Sequence, residues 1–147
     1  MKKFCVAALI ILIASLGACV GNSVLASPKP AVNAKFLEGI YDLYNNSYFD
    51  GNLPRNTAIL YAADPDGSED IGDTVCSLDP RSNLPMTCTI YINPYANRAQ
   101  PVAIATMIHE ICHIATLQRG HGDGGHDKDW QNCMLNVAKE GGFEGVW

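Results

Sequence analysis

The sequence predicts a small α+β fold built as a single domain. Three observations carry that expectation. The chain has 147 residues, room for one hydrophobic core. Three stretches place apolar residues at helical spacing. Between the first and second of them lie short β-branched runs separated by turn residues. The expected order is an N-terminal helix, a short antiparallel sheet, a helix carrying a chemical motif, and a C-terminal helix.

The chain opens with a leader. Met1-Lys2-Lys3 is a short positive region, and Phe4 to Ser15 is apolar but too short to span a bilayer. It reads as an export signal and is excluded from the fold. Two processing sites compete. Val24-Leu25-Ala26 suits ordinary signal peptidase, giving a signal peptide over 1–26 and a free secreted form. Leu16-Gly17-Ala18-Cys19 resembles a bacterial lipobox, giving a lipoprotein signal over 1–18 with Cys19 lipidated and the protein attached to a membrane. The apolar run stops at that second site, which favours it. The localisation expected is the bacterial cell envelope, or secretion.

A linker follows over 27–34, and the domain is expected over 35–147. Ala31 to Tyr48 carries Phe36, Ile40, Leu43, Tyr44 and Tyr48 at helical spacing and predicts an amphipathic helix. Phe49 to Pro54 is a turn. Thr57 to Ala62, Thr74 to Leu78 and Thr87 to Asn93 are strand candidates, with a connecting turn over Asp79 to Pro85. Asp64 to Asp73 is an acidic loop in which Gly67 is misplaced for an EF-hand, so a plain surface loop is expected. Asn97-Arg98-Ala99-Gln100 reads as a capping box, with Pro101 in the first turn of a helix that runs to about Arg119. Asp127 to Glu140 is the last helix, stopped by Gly141-Gly142.

The second helix holds His109-Glu110-Ile111-Cys112-His113, an HExxH pattern. Histidines four apart share one helix face, so both imidazoles reach one metal ion, most often Zn²⁺. Glu110, beside them, is placed to take a proton from water that the metal activates. At 100° per residue Thr106, His109, Glu110, His113 and Thr116 form one polar stripe, with Ile104, Ile108, Ile111 and Ala115 opposite. Such a stripe on a buried helix needs partners, and a metal in a cleft supplies them. A bland alternative is a pair of hydrogen-bonded core histidines, which leaves Glu110 buried and unpaired.

A catalytic zinc site commonly takes three protein ligands. His126, past a glycine loop at the mouth of the last helix, is the preferred third ligand. His121 and Glu140 are the alternatives. Asp123, Asp127 and Asp129 are placed to orient a ligand histidine, and capping explains Asp127 and Asp129 equally well. Downstream of Ala26 four cysteines remain. An even number in an exported chain implies two disulfides. Cys76–Cys88, closing a hairpin, and Cys112–Cys133, tying the motif helix to the last, are preferred. A thiolate ligand from Cys112 or Cys133 is the competing reading.

Four segments together resemble the SprT-like zinc metallopeptidase domain, over about Lys35 to Lys139. Tyr48-Phe49-Asp50-Gly51-Asn52-Leu53-Pro54 is similar to its FDGKLP turn. Tyr91-Ile92-Asn93 is similar to the strand before its motif helix. Met107 to His113 resembles its HEMxH helix, and Gly125-His126-Asp127-Lys128-Asp129-Trp130 its GHGxxF/W segment. The resemblance implies a zincin-like fold, zinc on His109, His113 and His126, and catalysis by Glu110. Asp127 departs from the Gly usual in that segment, and no C-terminal zinc ribbon follows. Familiar members are intracellular and several act at DNA. This chain has a net charge of −5 and no basic run, so no nucleic-acid partner is expected. The activity expected is hydrolysis of protein or peptide substrates outside the cytoplasm. A non-catalytic zinc-binding envelope module and a zinc amidase on cell-wall peptides are the alternatives.

Overall fold

The computed structural model describes residues 31–67, 69–120 and 125–146. The leader, both processing sites and Cys19 lie outside the described residues, as do His121 and Asp123. The described chain forms α1 (Ala34–Tyr48), β1 (Ala58–Leu60), β2 (Gly72–Leu78), β3 (Pro85–Ile92), α2 (Gln100–Gln118) and α3 (Lys128–Lys139).

The α1 helix starts later than its apolar spacing suggests, because the Asn33 side chain caps it by accepting from the Phe36 N–H at 2.9 Å. Its buried face is Leu37, Tyr41, Tyr44 and Asn45, with Phe36, Ile40 and Tyr48 partly buried alongside. Leu43, assigned to that stripe from the sequence, lies about 120° from Leu37 around the helix and faces solvent. Beyond α1 the chain reverses through Asp50 and Gly51, both at positive φ. The buried Asn45 side chain holds that turn, accepting from the Leu53 N–H at 3.0 Å.

The sheet is mixed, which corrects the expectation of an antiparallel one. Its order is β1-β3-β2, with β2 antiparallel and β1 parallel to the central β3. The long connection from β1 through the acidic loop carries the chain across to the far side of β3, so β1 and β3 run the same way. Cys88, Ile90 and Ile92 alternate along β3 and point into the core. Cys76 lies directly opposite Cys88 in the register, and the two form a disulfide across the hairpin.

The α2 helix packs against β2, β3, α1 and α3. Met107, Ile108, Ile111, Cys112 and Ile114 have no exposed surface. Burying each Ile or Met side chain contributes about 1.5–3 kcal/mol. A second disulfide, Cys112–Cys133, joins α2 to α3. Closing its loop restricts the unfolded chain and adds stability on the order of 3 kcal/mol.

The capping box read at Asn97 and Gln100 does not form. The N-cap is Ala99, with no side-chain cap and Pro101 in the first turn. Asn97 instead sits two residues before that N-cap, fully buried, as a junction between strand and helix. Its Nδ2 donates to the Ile71 carbonyl at 2.6 Å and to the Asn93 carbonyl at 2.9 Å, while its Oδ1 accepts from the Thr106 hydroxyl at 2.7 Å. Asn97→Ala would remove all three bonds and leave the buried Thr106 hydroxyl without its partner, at about 1–3 kcal/mol, while the Ile71 and Asn93 carbonyls keep their backbone N–H donors. We expect urea denaturation to show a loss of about 1–3 kcal/mol.

Candidate metal centre

His109 and His113 project from the same face of α2, their ring centroids 5.0 Å apart. The third imidazole arrives from the other side. Asp127 caps α3 by accepting from the N–H groups of Asp129 and Trp130, each at 2.9 Å. The Gln131 side chain donates to the His126 carbonyl at 3.0 Å. Fixed by these bonds and by the Cys112–Cys133 link behind it, the entry to α3 delivers the His126 ring to 4.7 Å from His109 and 5.1 Å from His113.

The Trp130 indole closes one side of this group. Its centroid lies 4.6 Å from the His109 ring, 5.6 Å from His113 and 4.4 Å from His126, and its Nε1 donates to the His109 carbonyl at 3.3 Å. The open side faces a cleft of about 330 Å³ lined by Asp70 to Thr74 on β2 and its approach, together with the three histidines and Glu110.

The three rings fit a metal ion. Their ligand nitrogens all lie within 4.8 Å of one another, and Nε2 of His126 stands 2.9 Å from Nε2 of His109. Tetrahedral zinc would set such nitrogens about 3.3 Å apart. Among the described residues His113 Nδ1 is buried with no hydrogen-bond partner. Burial lowers the pKa of His109, and the nearby His126 lowers it further. His113 is pushed down to about 4, by burial first and then by His109 and His126, with Asp127 opposing. Both rings are therefore neutral near pH 7, the form that donates a lone pair to a metal.

Glu110 is 2% exposed and faces the same cleft. Its carboxyl accepts from the Thr74 hydroxyl on β2 at 2.8 Å. Burial raises its pKa to about 7, with the charges of Asp73 and Asp70 adding to the rise and the Thr74 bond opposing it. Asp73 is raised as well, by burial and then by its hydrogen bond and charge contact with Asp64. The acidic loop therefore borders the cleft, whereas its composition alone suggests an ordinary surface loop.

The SprT-like family profile matches residues 37–145. The chain belongs to the SprT-like family. Comparison with curated proteins and with solved structures gave no match.

The remaining sequence-nominated groups of this SprT-like domain fall elsewhere. Glu140 closes α3 beside Tyr48, Phe49 and Arg119, away from the histidines. Cys112 and Cys133 are consumed in their disulfide, so neither offers a thiolate. Asp127 is a helix cap. Thr116 needs no metal, since its hydroxyl is satisfied by the Cys112 and His113 carbonyls of its own helix. Trp130 stands at the aromatic position of the GHGxxF/W segment, whereas Gly72 and Thr74 carry no motif that marks them for this site. Alternation along β2 puts Gly72, Thr74 and Cys76 on one face, and the pairing of Cys76 with the core residue Cys88 is the available sign that this face turns inward.

Glu110 supplies a pH test on the metal-free domain. Unfolding returns its carboxyl to the ordinary value of 4.5, whereas the folded value is about 7. Between those pH values the folded state keeps a proton that the unfolded chain gives up. Stability therefore falls as pH rises through the window, by roughly 3 kcal/mol in all. Glu110→Gln removes the effect. Thermal melts of the metal-free proteins at pH 4.5 and pH 8 should show the variant losing less stability than wild type.

Proposed function

We propose that this protein is a zinc-dependent metallopeptidase that cleaves protein or peptide substrates outside the cytoplasm. The observation that carries the reading is the convergence of three imidazoles and one buried carboxyl on a single open cleft. A purely structural metal site has no use for a proton acceptor such as Glu110 on its open side.

His109, His113 and His126 are the residues that would hold the ion. Zinc in such a donor set acidifies water and polarises a carbonyl oxygen. Glu110 accepts the proton of the attacking water at its carboxylate. It then donates that proton to the departing amine, so one side chain serves as base and acid in turn. Trp130 shields one side of the histidine cluster, and the cleft along β2 gives an extended peptide access to the other.

The proposed setting follows from cysteine chemistry and the leader. Two disulfides suit an oxidising compartment. No helix among the described residues is long and apolar enough to cross a membrane. The apolar leader supports export, and the lipobox at Cys19 supports anchorage to the envelope by lipid. An acidic chain without a basic run favours peptide over nucleic-acid substrates.

The decisive experiment compares protein N-termini in envelope extracts incubated with zinc-loaded wild type and zinc-loaded Glu110→Gln. New N-termini with wild type alone are expected, and would read out cleavage specificity. Their absence, with zinc bound to both proteins, would overturn the peptidase reading and turn attention to cell-wall peptides and to a binding role. Glu110→Gln should bind zinc normally and lose activity by a factor of about 10² or more. His126→Ala should weaken zinc binding by more than the roughly 10–100-fold that loss of an outer-shell partner costs, as measured by chelator competition.

A further inference from the structure

The β2 strand meets Glu110 at two points. The Thr74 hydroxyl lies 2.8 Å from Glu110 Oε2 and 3.4 Å from the Glu110 backbone carbonyl. A hydroxyl has one proton to give, and the shorter contact to the carboxyl is the stronger bond. Among the described residues no other group hydrogen-bonds that carboxyl. The second contact is with Gly72. A Cβ added there would stand 2.7 Å from Glu110 Oε1 and 2.6 Å from Thr106 Cγ2, closer than real Cβ contacts come. Oε2 is thus held by a hydroxyl, and Oε1 occupies space that only a residue without a side chain leaves open.

The strand that makes these contacts is itself pinned. The Ile71 carbonyl, next to Gly72, accepts from the Asn97 side chain at 2.6 Å and from the Asn93 N–H at 3.1 Å. The Asn93 side chain donates to the Asp70 carbonyl at 3.2 Å. Asn97 in turn accepts from Thr106, one helical turn before Glu110 on α2. Helix and strand are therefore locked together where the carboxyl sits between them.

The geometry points to Thr74 as a positioning residue for the proton-transfer carboxylate, seating it through Oε2, with Gly72 leaving room for Oε1. This rests on the peptidase reading given above and adds a residue outside every motif that supports it. The Thr74 hydroxyl makes and breaks no bond in the reaction. Its effect belongs in kcat, since it orients a group that acts in the transition state.

The test uses Thr74→Val, which keeps the shape and removes the hydroxyl, and Thr74→Ser, which keeps the hydroxyl. With fluorescein-labelled β-casein as substrate, Thr74→Val should lower kcat roughly tenfold or more, with KM and zinc affinity within about twofold of wild type. Thr74→Ser should return to within about threefold of wild type. Wild-type kcat in Thr74→Val while Glu110→Gln is inactive would overturn the role of Thr74 and leave the peptidase reading intact. A Thr74→Ser variant as poor as Thr74→Val, or zinc affinity lost in step with kcat, would overturn it too.

Melting of the metal-free full-length variants tests the contact without any turnover. Thr74→Val should lower Tm by roughly 3–6 °C in wild type and by much less in a Glu110→Ala background. Equal losses in both backgrounds would show that Thr74 does not seat Glu110, whatever reaction the protein performs.

Discussion

A helix buried on nearly every side must satisfy its polar groups inside the protein, and the rest of this fold is arranged around that demand. The α2 helix sends Met107, Ile108, Ile111, Cys112 and Ile114 into the core with no exposed surface. It also carries Thr106, His109, Glu110, His113 and Thr116. An unpartnered polar group in such a place costs several times what its hydrogen bond would return. Each therefore has a specific answer. Thr106 donates to Asn97, Glu110 accepts from Thr74, and Thr116 donates to carbonyls of its own helix. Two histidines remain, and the metal-ligating ring brought to meet them among the described residues is a third histidine. Ordinary hydrogen bonding thus disposes of the whole stripe except for the cluster suited to a metal.

That outcome explains which parts of the site are legible in the amino-acid sequence. The spacing of His109 and His113 is a property of a single helix, so periodicity alone puts both rings on one face. The three helices are readable for the same reason, each having a local apolar repeat. What local pattern cannot reveal is which strand lies over which turn. Thr74 and Gly72 matter only because the acidic connection brings β2 to the far edge of the sheet, against Glu110. The parallel pairing of β1 with β3 escapes sequence reading on the same ground, since three-residue β1 has too little pattern to fix its direction. Asn97 illustrates the opposite error. Its place before Pro101 has the composition of a cap, and tertiary contacts claim its side chain instead.

The two disulfides act at different distances from the chemistry. Cys76–Cys88 fastens the hairpin whose inner face seats Glu110. Cys112–Cys133 starts from the residue next to His113 and ends on the helix whose entry presents His126. Between them the covalent links brace both surfaces that face α2. A domain with three helices and three short strands has a modest core, and cross-links restrict its unfolded chain where extra burial is not available.

One of the two tryptophans in the chain, Trp130, has its indole against all three imidazoles. Indole emission responds to the charge and polarity of its immediate neighbours. The protein therefore carries a built-in optical reporter at the histidine cluster. Loading and stripping of an ion there can be followed in real time by intrinsic fluorescence, on unlabelled protein and without any substrate.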